Sequence, residues 1–135
     1  MSEPLIYIST WRIREGKLED YKQFTKEFLE IIKAKEPQLI AIHLFLSEDG
    51  TEVTSIQVHP DAASMDTHMQ VVEQVLGEEM AEWVGRADFI EPKHLEIYGN
   101  PSADLLEADR PLVESGIERS IKPLHLAGFT RSSAA

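Results

Sequence analysis

Cysteine is absent from the 135 residues, which removes disulfides, thiolate nucleophiles and zinc–thiolate centres at once. Basic residues are scarce: 13 Lys and Arg stand against 24 Asp and Glu, for a formal charge of −11. Nucleic acids and anionic lipid surfaces are held by Lys and Arg that neutralise phosphate, so neither is an expected partner. Long apolar runs are missing too, with no stretch near the roughly 20 residues that span a bilayer. The first residues lack the basic start and apolar stretch of a secretory signal, so the expectation is a cytoplasmic protein. Glycine-rich phosphate loops, dinucleotide fingerprints and nucleophile elbows are also absent, which leaves nucleotide enzymes and serine hydrolases without their motifs.

The chain is long enough for one domain with a core of its own, and 42% of it is hydrophobic. Leu5 to Ile13 reads as a strand that is apolar on both alternating faces, the pattern of a central strand covered on both sides. Gly16 is the expected N-cap of a helix, with Glu19 placed to reach back to it. Leu18, Tyr21, Phe24, Phe28, Ile31 and Ile32 then recur at helical spacing until Glu36, where Pro37 stops the helix. Leu39 to Leu46 and Val53 to His59 are the next two strands, joined by a Glu48-Asp49-Gly50 turn. Asp61 caps a second helix whose stripe is Met65, Met69, Val72 and Leu76, with His68 beside it. A further turn follows Gly77, and Lys93 to Tyr98 is a fourth strand closed by Gly99-Asn100-Pro101.

That order, β-α-β-β-α-β, is the α+β ferredoxin-like arrangement, with two helices on one face of a four-stranded antiparallel sheet. The other sheet face is apolar and needs a cover, for which a homodimer packed sheet to sheet is the economical solution. Residues 1–100 therefore form the domain and 101–135 a C-terminal extension that packs on the domain or on a partner. The extension holds a helix between Ser102 and Gly116, with Leu105, Leu106, Leu112 and Val113 as its apolar positions. An edge strand over Ile121 to Leu126 follows, with a frayed end from Arg131 to Ala135.

Two imidazoles flank the third-strand corner. His59 ends the strand at an exposed corner and His68 lies on the helix that follows. An unperturbed imidazole titrates near neutrality and suits proton transfer to or from a phenol, enol or hydroperoxide; each of the two also suits plain packing or hydrogen bonding. Tyr7 and Trp11 share one face of the first strand beside Ser55, Gln57 and His59 of the third. If these face the helices they line a small-molecule pocket of apolar walls and few polar groups, with Met65 at its edge. Trp83 and Phe89 suit a lid at its mouth, or packing against the tail or a partner. His59, Asp61, His68, His43 and His94 supply metal-ligand atoms, but no pair has the i, i+4 spacing that fixes two ligands on one helix face. No metal and no cofactor are expected.

Several segments carry a resemblance. Ile13-Arg14-Glu15-Gly16-Lys17 opens the first helix and Glu36-Pro37 closes it. Asp61-Ala62-Ala63 is followed by His68 seven residues after the aspartate, and the last strand ends in Tyr98-Gly99. Over residues 5–99 the chain resembles the dimeric α+β barrel superfamily, in particular antibiotic biosynthesis monooxygenase-like domains. The resemblance implies a homodimer with a small-molecule site between sheet and helices. Relatives include cofactor-free oxygenases of aromatic polyketides, quinol monooxygenases and haem-degrading enzymes. The expected function is thus a cofactor-independent monooxygenase acting on a small aromatic or quinol-type substrate. His59 or His68 would take the proton, while Tyr7, Trp11, Gln57 and Met65 bind the ring. Where many of these domains carry a tryptophan two residues and a glutamate four residues before the aspartate, this chain has His59 and Gln57. A non-catalytic dimeric binding or assembly module and a haem- or metal-dependent enzyme remain the alternatives.

Overall fold

Leu5–Ile13 forms the strand β1, with β-branched and aromatic residues filling both faces. It lies in the middle of a sheet, antiparallel to β3 (Glu52–His59) on one side and β4 (Ile90–Tyr98) on the other. A computed structural model describes residues 3–84 and 88–131 of the chain. Outside β3 lies β2 (Ala41–Leu46), and outside β4 lies β5 (Glu118–Lys122), giving the order β2-β3-β1-β4-β5. The first four strands, in the order β2-β3-β1-β4, have the ferredoxin-like arrangement. The sheet is nevertheless five-stranded and mixed, not four-stranded and antiparallel, because β5 runs parallel to β4. A parallel neighbour needs a long crossover, and the helix α4 (Ala103–Glu114) supplies it.

The helix α1 (Leu18–Lys35) starts one residue later than its expected cap. Gly16 sits at φ +77° in the preceding turn, and the cap position falls to Lys17, which has no capping side chain. Glu19 lies 3.4 Å from Lys22 instead of reaching back. The helix α2 (Ala62–Gly77) is capped as its sequence implies, the Ser64 N–H donating to Asp61 Oδ1 at 2.8 Å. A short helix α3 (Ala81–Val84) follows. The strand β2 starts at Ala41 instead of Leu39 and β5 at Glu118 instead of Ile121, and two further boundaries lie beside prolines, which lack an N–H. The strand β4 begins before Pro92, because the β1–β4 register shifts between Thr10 and Trp11, a bulge where Pro92 meets Trp11. The strand β5 ends at Lys122 because Pro123 cannot continue the ladder, so Leu124 and Leu126 leave the sheet.

Helices cover one sheet face only. Leu5, Tyr7, Leu95 and Ile97 pack there with Met65 of α2 and Leu105 of α4. Ile13 and Val53 pack with Tyr21 of α1 and Phe89, and Ile32, Val75 and Met80 join the helices. At roughly 1.5–3 kcal/mol for each large side chain removed from water, these clusters hold the layer together. The opposite face carries Ile6, Ile8, Ile56 and Val58, half-buried, and Phe45, 60% exposed. The expectation of a frayed C-terminus falls partly on residues 132–135, outside the described residues.

Gly99 stands at φ +110°, and a Cβ there would meet the Pro4 carbonyl oxygen at 2.6 Å. Gly77, with ordinary φ, has nothing within 4 Å. Gly99→Ala is expected to lower stability by roughly 1–3 kcal/mol, whereas Gly77→Ala raises it by up to about 1 kcal/mol. Chemical denaturation of both variants reads the opposite signs.

Candidate active site

The covered face of the sheet holds a cavity of about 350 Å³ between β1, β2 and β3 below and α1 and α2 above. Its size and mostly apolar lining are those of a small-molecule site. The β1–β3 register decides which polar groups enter it. Tyr7 pairs with Gln57 and Ser9 with Ser55, so the period of two aims all four at the helices. Trp11 joins them, while Phe24 and Phe28 of α1 and His68, Val72 and Leu76 of α2 form the roof.

His68 is the base-like group of this cavity. It is buried, and its Nδ1 lies 2.7 Å from Oε2 of Glu36, a carboxylate at the end of α1 that is 2% exposed. The Glu36 Oε1 accepts from Gln38 Nε2 at 3.2 Å, so each carboxylate oxygen has a donor. A carboxylate on Nδ1 fixes the tautomer and turns Nε2 into the free nitrogen. No side chain among the described residues bonds that Nε2. Glu36 thus does more than end a helix. The local sequence, Glu36-Pro37, marks only a helix end and not the pairing, since its partner is 32 residues away.

His59 is not the exposed corner residue the sequence implies; it is fully buried behind the cavity wall, 5.7 Å from His68 between ring centres. Both its nitrogens are engaged. Nδ1 lies 2.7 Å from Ser64 Oγ and Nε2 lies 3.0 Å from Gln57 Oε1. With Nε2–H donating to the amide oxygen and the Ser64 hydroxyl donating to Nδ1, a neutral ring satisfies every atom. Burial, and next the nearby His68, hold its pKa down to about 4, against a smaller opposing pull from Asp61. The bond to His59 consumes the Gln57 oxygen and leaves its amide N–H groups as the donors in the cavity lining.

Tyr7 lines the cavity, and its hydroxyl lies 3.0 Å from Asp109 Oδ1 on α4. Burial, with Asp109 adding to it, pushes this phenol well above its usual range. Met65 lies outside the lining. On α2 the cavity stripe is His68, Val72 and Leu76, whereas Met65 and Met69 form the neighbouring stripe, packed on Leu5, Tyr7 and Leu105. Trp83 and Phe89 form an aromatic cluster with Phe24, at 5.9 and 5.6 Å between centroids, so they brace the roof. Asp61 is occupied as a cap, His43 lies on exposed β2 and His94 beside Glu96 on the open face. Among the described residues no three His, Asp or Glu side chains converge as metal ligands.

No protein-family profile and no curated protein matches the sequence. Solved structures do match it. MupZ from Pseudomonas fluorescens aligns over 99% of both chains with a TM-score of 0.67 and 19% identity. A provisionally assigned antibiotic biosynthesis monooxygenase from Bacteroides thetaiotaomicron aligns with 70% of this chain and 85% of its own, with a TM-score of 0.53 and 20% identity. The chain has the antibiotic biosynthesis monooxygenase-like fold. A provisionally assigned monooxygenase from Shewanella loihica gives nearly the same values, 70% and 93% coverage, a TM-score of 0.52 and 20% identity. The MupZ alignment takes in the C-terminal extension as well, so α4 and β5 belong to a shared form of this fold.

Because the folded-state pKa of His59 lies below its ordinary 6.5, the native state resists protonation there. Its contribution to stability is complete above pH 6.5 and is lost as pH falls toward about 4. Wild type is expected to lose roughly 1–3 kcal/mol across that window through this group. Urea denaturation at several pH values, compared with His59→Gln, reads the difference, which should vanish from the variant's profile.

Proposed function

We propose that this chain is a small-molecule enzyme of the monooxygenase-like scaffold, working without a cofactor on a small aromatic or quinol-type substrate in the cavity under α1 and α2. The observation that carries the reading is the buried Glu36–His68 pair, which presents an unbonded imidazole nitrogen to a mostly apolar cavity beside the Gln57 amide. His68 Nε2 takes the proton of a phenolic or enolic hydroxyl, and the Gln57 N–H groups stabilise the oxyanion. His59 acts through Gln57 as a positioning residue. Trp11 and Phe24 supply the ring-binding walls.

An electron-rich anion can pass one electron to dioxygen. The radical and superoxide then combine through a new C–O bond to a hydroperoxide. In forming it, the proton held on His68 returns to the peroxide oxygen. Loss of water from the hydroperoxide, with the hydrogen on the same ring carbon leaving as a proton, turns that C–H carbon into a carbonyl. A phenol with a free ortho or para C–H and one dioxygen thus give a quinone and one water. Oxygen uptake with a panel of dihydroxyaromatics is the test. His68→Ala should lower the rate by about 10²–10⁴-fold, and Glu36→Gln by at least about tenfold through loss of ring orientation. Uptake unchanged in His68→Ala removes the base from the scheme.

The working unit in this proposal is a cytoplasmic homodimer. Ile6, Ile8, Ile56 and Val58 form a continuous apolar surface on the open sheet face, with Phe45 at its margin, more than a monomer leaves to water without use. Leu124, Leu126 and Phe129 of the tail are 89%, 98% and 83% exposed, which also favours burial against a second copy. The same surfaces support the alternative, a dimeric binding module, which would bind the aromatics without consuming oxygen. Ile56→Lys places a charge in the centre of the face and is expected to give a monomer by sedimentation velocity. A variant that stays dimeric would move the interface elsewhere.

A further inference from the structure

Among the described residues, the acid–base scheme leaves one buried carboxyl unused. Asp109, on α4, is 5% exposed, and its neighbours Leu105 and Leu112 pack into the core formed by Leu5, Met65, Leu95 and Ile97. Its Oδ1 meets the Tyr7 hydroxyl at 3.0 Å, while Oδ2 is buried without a hydrogen-bond partner. The charged group that acts on it is Arg119 of β5, whose Nη1 lies 3.4 Å from the Leu106 carbonyl. Arg110, next in sequence, is turned to Glu107 and Glu114 on the exposed side. An ionised carboxylate here would keep a charged oxygen in apolar surroundings with no donor, a penalty of several kcal/mol. A neutral carboxyl would leave unpaired only a carbonyl oxygen. Burial accordingly raises the Asp109 acid above the usual carboxylate range, against the opposing pulls of Tyr7 and Arg119.

We propose that Asp109 is a neutral carboxyl in the folded protein and donates its O–H to the Tyr7 oxygen, freeing the Tyr7 hydroxyl hydrogen for an acceptor oxygen of a molecule in the cavity. Tyr7 is then the group that touches the ligand and Asp109 the residue that positions it. A ligand that meets both groups has one oxygen acidic enough to give its proton to His68 and a second oxygen that accepts from Tyr7. The extension is thereby part of the site. The ligand assignment rests on the enzyme reading above; the state of Asp109 does not.

Infrared spectra of the full chain near neutral pH should contain a protonated-carboxyl carbonyl band that shifts on carbon-13 labelling of aspartate and is missing from Asp109→Asn. Absence of the band from the labelled wild type, which needs no variant to fold, overturns the proposal, as does its persistence in Asp109→Asn. Pentafluorophenolate serves as the oxygen probe. Its affinity should fall roughly tenfold to hundredfold in Tyr7→Phe. In wild type it should weaken as pH rises and the ionised carboxylate recaptures the Tyr7 hydrogen, and this pH dependence should be lost in Asp109→Asn. Equal probe affinity in wild type and Tyr7→Phe overturns the ligand-facing role. A band without oxygen uptake on any aromatic leaves the Asp109 assignment standing and removes the oxygenase, and uptake without the band does the reverse.

Discussion

Everything in this molecule hangs on the register of β1. Antiparallel pairing with β3 sets Tyr7 against Gln57 and Leu5 against His59, and pairing with β4 sets Tyr7 against Ile97. Because side chains alternate with a period of two, a slip of β1 by one residue would send Tyr7, Ser9 and Trp11 to the open face and bring Ile6 and Ile8 under the helices. The apolar character of both faces of β1 does not by itself resist that slip. The hydrogen bond from Tyr7 to Asp109 does, since the Tyr7 hydroxyl has that buried partner only in the observed register.

The buried hydrogen bonds form two polar arms within an apolar layer. One runs from Ser64 through His59 to Gln57, and beside it Glu36 holds His68. The other joins Tyr7 to Asp109. Buried polar groups cost stability unless satisfied, so such arms are places where a fold gives up apolar packing for orientation. The cavity lies where the two arms meet the same sheet face. Its walls are rigid for the same reason, being strands and helices with locked side chains and not loops.

The C-terminal segment illustrates how a common scaffold acquires a particular site. Structures that align with about 70% of the chain share the fold, and the MupZ alignment extends over α4 and β5. In this chain α4 is fastened by the Ser102 hydroxyl, which donates to Asp66 on α2 at 2.6 Å, and by Leu105 in the core. Once fastened there, it brings the Asp109 carboxyl to the Tyr7 hydroxyl.

Local chemistry was enough to read β1 to its last residue, the Asp61 cap, the turn at Gly50 and the helix in the extension, because alternation, helical spacing and capping are properties of neighbours in sequence. The same reasoning brought Tyr7, Trp11, Gln57 and His68 to one face. It could not see that Glu36 meets His68 or Asp109 meets Tyr7, which are separated by 32 and 102 positions. It also misjudged His59 as exposed and Met65 as a pocket residue. A strand end is buried or bare according to what packs on it, and which of two adjacent helix stripes faces a cavity depends on how the helix is rotated against the sheet. The sequence by itself determined the elements, their order and which residues of a strand share a face. Only the tertiary structure decided the partners of the buried polar groups, because a hydrogen bond between distant residues depends on where the packed layers bring them.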